Sequence, residues 1–128
     1  MSGFRRQCLR AMGAALALCL LAPIVPAFAQ AADATVDMSN FSFKPAEVHV
    51  SPGQTVLWTN MDPVQHTVTA DDGSFDSGLL DPGGTFSQEF DAPGTYQYYC
   101  MPHGGPGLQG MAATIIVDDP NAADDGGQ

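Results

Sequence analysis

The stretch Thr95-Tyr96-Gln97-Tyr98-Tyr99-Cys100-Met101-Pro102-His103 decides how the chain is read. Its first half alternates with the period of a β-strand, which puts Tyr96, Tyr98 and Cys100 on one face and Gln97 and Tyr99 on the other. The strand is thus expected to end with a thiol pointing into a core. Pro102 then turns the chain, and His103 can return toward the same point. Beyond it, Gly104-Gly105-Pro106-Gly107-Leu108-Gln109-Gly110 reads as a tight, apolar loop that delivers Met111 to the head of a final strand.

Working outward, the same pattern of short apolar runs and turn chemistry recurs. Strands are predicted over Thr35–Met38, Glu47–Val50, Thr55–Asn60, His66–Ala70, Thr85–Phe90, Thr95–Tyr99 and Ala112–Val117. Between them stand Ser51-Pro52-Gly53, Asp62-Pro63, Asp71-Asp72-Gly73, Asp81-Pro82-Gly83-Gly84 and Ala92-Pro93-Gly94, all residues that favour turns. The chain has 128 residues, 14 Gly, 10 Pro and only 14% charged residues, which excludes long helices and leaves room for one domain. Seven or eight strands at this spacing make an all-β, two-sheet sandwich. Trp58, Phe86 and Phe90 read as core, and Met38, Met61 and Met101 as packing residues. His49, between Val48 and Val50, is expected at the surface.

Residues 1–29 have the make-up of a cleaved secretory signal: Arg5, Arg6 and Arg10, then an apolar run closing on Ala27-Phe28-Ala29. Pro23 and Pro26 interrupt that run, so no stable membrane insertion is expected. Residues 30–117 form the folded domain, and 118–128 an acidic tail without a large apolar residue, expected to be disordered. Cleavage near Ala29 places the protein in the periplasm or outside the cell. It also leaves Lys44 as the single cation against all fourteen acids, a net charge of −13. Nucleic acid is excluded as a partner on that charge. Cys8 and Cys19 leave with the signal. Cys100 is then a lone thiol in an oxidising compartment, with no internal disulfide open to it.

One thiolate from Cys100, imidazoles from His66 and His103 and a thioether from Met111 form a soft donor set. Such a set suits copper; zinc accepts a thioether poorly, and calcium and magnesium want oxygen. Three of these residues lie on one loop and the fourth on a separate strand, so a sandwich can fix their geometry before a metal arrives.

Trp58-Thr59-Asn60-Met61-Asp62, His66-Thr67-Val68, Phe75-Asp76-Ser77-Gly78, Pro82-Gly83, Gly94-Thr95-Tyr96 and Tyr99-Cys100-Met101-Pro102-His103, ending in Met111, resemble the plastocyanin and amicyanin branch of the cupredoxins. The resemblance covers about Thr35 to Val117. It implies an eight-strand Greek-key β-sandwich holding one type 1 copper per chain, with His66, Cys100 and His103 as equatorial ligands and Met111 as the axial one. The loop after His103 is longer than plastocyanin's, and a gapless alignment places Leu108 on the axial position; Gln109 is a remoter candidate. Thr67 stands where plastocyanins carry an Asn that helps hold the copper loop.

The implied function is a small electron carrier cycling between Cu(I) and Cu(II). Its partners would be redox proteins, a c-type cytochrome or an oxidase, attracted by the negative charge and docked on an apolar collar of Pro102, Gly104, Gly105, Pro106 and Leu108 around His103. Tyr99, outward beside Cys100, is a second candidate contact. A monomer is expected, and no catalytic constellation is visible: three histidines are too few for a multicopper oxidase, and no second Cys lies near Cys100 for a binuclear centre. The alternative is a copper-binding module for delivery or storage without redox cycling.

Overall fold

A computed structural model describes residues 31–122; the signal-like segment and the end of the acidic tail lie outside the described residues. Eight strands and no helix appear among them: β1 (Ala34–Met38), β2 (Phe43–Lys44), β3 (Glu47–Val50), β4 (Gln54–Asn60), β5 (Thr69–Ala70), β6 (Thr85–Phe90), β7 (Gly94–Gly105) and β8 (Gln109–Val117). They form two four-stranded sheets, ordered β2-β1-β4-β6 and β3-β8-β7-β5. β1 runs parallel to β4 and β3 parallel to β8, and all other pairs are antiparallel. This is the Greek-key sandwich expected from the sequence.

The pleat explains the core. On β1 the inward residues are Val36 and Met38, on β4 Val56 and Trp58, on β3 Val48 and Val50, and on β8 Met111, Ala113, Ile115 and Val117, all buried. Trp58 anchors the middle, near-perpendicular to Tyr98 with ring centroids 5.5 Å apart, and Phe75, Phe86 and Phe90 pack around it. Met38 is a packing residue as expected, whereas Met61 and Met101 are exposed. His49 points outward, as its alternation required.

Besides strand starts that shift by one to three residues, β8 the most with Gln109 instead of Ala112, three features differ from the sequence reading. β2 was not expected: it is two residues long and pairs only with Asp37 and Met38. The run His66–Ala70 reduces to Thr69–Ala70, because His66 meets Leu80 in an isolated bridge rather than a continuous ladder. Cys100 does not end its strand either. β7 continues to Gly105, with a register shift between Tyr99 and Gly104, so that Cys100 to His103 bulge from the β7–β8 ladder.

Candidate metal centre

At one end of the sandwich, His66, Cys100 and His103 converge. Their ligating atoms all lie within 4.8 Å of one another. His66 Nδ1 is 3.1 Å from His103 Nδ1, and Cys100 Sγ is 3.5 Å from the first and 3.4 Å from the second. The centre of such a triangle lies about 2 Å from each corner, close to the length of a transition-metal bond to imidazole nitrogen. Two imidazoles and one thiolate meeting at that spacing fit copper, and carboxylate-free donors of this kind do not fit a hard cation.

Each corner has a different support. His66 is wholly buried, and its backbone N–H and C=O both bond Leu80, at 3.2 and 2.8 Å. Its Nε2 donates to Asp62 Oδ2 at 2.8 Å. The carboxylate of Asp62 also accepts the backbone N–H groups of Asn40 (2.7 Å) and Phe41 (2.9 Å). The Phe41 N–H above all, with the bond from His66 and the Asn40 N–H, outweighs burial and holds Asp62 down to about 2. An ionised Asp62 can only accept, so His66 carries its proton on Nε2 and turns the lone pair of Nδ1 to the centre. Asn60, also fully buried, locks the turn: its Nδ2 donates to the carbonyls of Val64 (2.7 Å) and Leu80 (2.9 Å), and its Oδ1 accepts the Asp62 N–H at 3.0 Å.

Cys100 is buried, and burial pushes its thiol up, opposed by the backbone N–H groups of Thr67 and His103 and the Thr67 side chain. The Thr67 N–H points at Sγ from 3.4 Å. Without a cation the proton stays, and metal binding therefore releases it. Thr67 Oγ1 accepts the Met101 N–H at 2.8 Å, so a threonine here ties the segment that carries His66 to the loop after Cys100.

His103 is only half-buried. Its place is set by backbone packing: Gly104 pairs with Gly110 across the hairpin, and a Cβ on Gly104 would lie 2.6 Å from the carbonyl oxygens of Gln109 and Met111. At the hairpin tip, Asp71 Oδ2 accepts the Gly107 N–H at 2.8 Å. Leu108 sits there at φ 60°, 49% exposed. Gln109 is exposed too, whereas Met111 is 3% exposed, the first inward residue of β8 after the loop. Tyr99 faces away from Cys100 and is half-buried.

Sequence reasoning missed Asp62, Asn60, Phe41 and Asp71. Asp62 was read as turn chemistry, although a carboxylate four residues before a candidate ligand is a usable signal. Phe41 left none, since the turn that carries it is recognised only once β1 and β2 pair.

Comparison with known proteins agrees with this geometry. The profile of copper binding proteins of the plastocyanin/azurin family matches residues 30–118. Plastocyanin of Scenedesmus fuscus is 35% identical over 92 residues, covering 63% of this chain and 91% of its own. Amicyanin-alpha of Methylorubrum extorquens is 34% identical over 80 residues, covering 59% and 67%. Among solved structures, a purple cupredoxin from Nitrosopumilus maritimus superposes with a TM-score of 0.60 at 28% identity, covering 67% of this chain and 100% of that one. With a soft His-Cys-His triangle at the end of a Greek-key sandwich and a family match spanning the whole described domain, the chain belongs to the plastocyanin/azurin family of copper binding proteins.

Proposed function

We propose that the protein is a small electron carrier that cycles one copper ion between Cu(I) and Cu(II), held by His66, Cys100 and His103 with Met111 as the axial ligand. The observation that carries this reading is the triangle itself, two Nδ1 atoms and one Sγ within 3.5 Å of each other. Copper bound there supplies a one-electron couple without proton transfer. The chain's own residues supply the constraint: Asp62 orients His66, Thr67 tethers the Cys100 loop, and the Gly104–Gly110 contact fixes His103. A scaffold that holds three donors in place leaves little to rearrange when the charge of the ion changes.

The burial of Met111 and the exposure of Leu108 and Gln109 support Met111 as the axial donor. Electrons cross at the exposed edge of His103, within the collar of Pro102, Gly104, Gly105, Pro106 and Leu108. The partner is a redox protein with a cationic face, a c-type cytochrome or an oxidase, because Lys44 is the single Lys or Arg after residue 29. The protein works as a periplasmic or secreted monomer, and no catalytic role is assigned to it.

The deciding experiment is the visible spectrum of the copper-loaded protein. An intense cysteine-to-copper charge-transfer band that bleaches on reduction and returns on oxidation is expected. Stoichiometric Cu(I) binding with no such reversible band would overturn the carrier reading and favour copper delivery or storage.

A further inference from the structure

One aromatic residue at the metal end, Phe41, plays no part in the carrier reading. The β1–β2 connection is a two-residue hairpin loop, Asn40–Phe41, closed by reciprocal backbone bonds between Ser39 and Ser42 at 2.9 and 3.2 Å. Both loop residues have positive φ, 52° and 56°. That is the conformation for which hairpins use Asn followed by Gly. Asn40 obeys the rule, and Phe41 breaks it.

A phenyl ring in a left-handed position is disfavoured by its Cβ, and this one is also 53% exposed. Neither backbone preference nor burial accounts for it. What it touches does: its ring centroid is 4.8 Å from that of His103 at 80° and 5.6 Å from that of His66 at 84°. The imidazoles are themselves 4.9 Å apart at 75°. Three rings thus meet pairwise near-perpendicular, the favoured aromatic arrangement. The turn is held in register with the site by Asp62, whose carboxylate takes the N–H of both Asn40 and Phe41 while also accepting from His66.

The two imidazoles need this contact unequally. His66 already has Asp62 and a buried cage. His103 makes no side-chain hydrogen bond to any described residue outside the donor triangle. We propose that Phe41 is a positioning residue for the copper centre: Asp62 clamps its strained turn so that the ring buttresses His103 and keeps that ligand in its metal-binding orientation when copper is absent.

This inference rests on the copper reading, and its test separates the two. Phe41→Gly restores the residue the turn prefers, so the melting temperature of the metal-free protein should stay level or rise. Cu(I) transfer to an excess of bicinchoninate should nevertheless accelerate by about 10-fold, the loss expected when the support of a ligand is removed. In the metal-free protein the His103 ring proton resonances, shifted by the phenyl ring, should move toward free-histidine positions. Phe41→Tyr, which keeps the ring, should restore both the release rate and the resonances.

Wild-type release and unmoved His103 resonances in Phe41→Gly would overturn the proposal. So would faster release in step with a lower melting temperature of the metal-free variant, which would make the ring a packing element. A protein that binds no copper defeats the carrier reading alone, because the metal-free resonances still report on His103.

Discussion

His66 and His103 offer the same nitrogen to the same point and are held there in opposite ways. His66 belongs to the sandwich: buried, bonded at both backbone groups to Leu80, and oriented at Nε2 by Asp62. His103 belongs to a bulge in the β7–β8 hairpin, half-exposed, its position dictated by glycine contacts and one phenyl ring. The difference separates two demands. A ligand that fixes geometry is best made from side-chain hydrogen bonds in a dry core. A ligand that passes electrons in the proposed carrier must reach the surface, so its restraint comes from the backbone and leaves its outer edge free.

The comparison breaks most severely at the hairpin glycines. A Cβ on Gly110 would stand 2.5 Å from the His103 carbonyl oxygen and 3.0 Å from the Gly104 Cα, at a φ of 65° that side chains rarely adopt. Gly110→Ala and Gly104→Ala should each lower stability in urea by about 1–3 kcal/mol, the range for overpacking. Copper affinity should fall more than 10-fold, because the loop moves with its ligand. Gly105→Ala is the control: nothing lies within 4 Å of its added Cβ, and the change should stay within about 0.5 kcal/mol. Equal effects at positions 105 and 110 would show that loop entropy, and not close backbone contact, holds His103.

On the other arm, Asp62→Ala removes the acceptor for His66 Nε2 and for two turn N–H groups at once. The freed imidazole can take either tautomer, so copper affinity should drop by about 10–100-fold, the usual cost of losing a ligand's hydrogen-bond partner. The charge-transfer band should survive, weakened, since Cys100 is untouched. A titration against a competing chelator measures the first, and the visible spectrum the second. Asp62→Ala with wild-type affinity would mean that Leu80 and burial alone orient His66.

How far the sequence reached follows from the same contrast. Cys100 and His103 were legible because strand period and a short spacing bring them together by local rules, whereas His66, on a separate segment, joined them through the family resemblance. The two-sheet sandwich of short strands followed from turn residues at Pro52-Gly53, Pro82-Gly83 and Pro93-Gly94, whereas the sheet order and the extension of β7 to Gly105 and of β8 back to Gln109 did not. Asp62 and Phe41 were not legible, because their roles depend on β1 lying parallel to β4, with Met38 beside Asn60, which brings residue 41 to residue 62. Nothing near either residue in sequence encodes that pairing. The strand predicted over His66–Ala70 shortened for a related reason: its neighbours on the 76–80 side form only single bridges, to Thr69 and His66.

The third histidine supplies the smallest effect and the cleanest control. His49 lies on β3, an edge strand of its sheet, with Nδ1 3.1 Å from Asp118 and Nε2 3.2 Å from Glu47, all three side chains more than half exposed. The bond to Asp118, then that to Glu47, raises its pKa above 6.5. A group whose folded pKa is raised stabilises most below its ordinary value and loses that contribution as pH rises through the folded one. The gain here is small and screened by salt, as for any exposed pair. A proton titration should therefore place the His49 midpoint above 6.5, moving toward 6.5 as salt is added. His49→Gln should flatten the slight fall in stability as pH rises above 6.5 and leave the copper spectrum unchanged. If His49→Gln shifted that spectrum, charge at a distant sheet edge would reach the triangle, and the distinction between a ligand fixed by the core and a ligand fixed by the loop would no longer describe what sets the site.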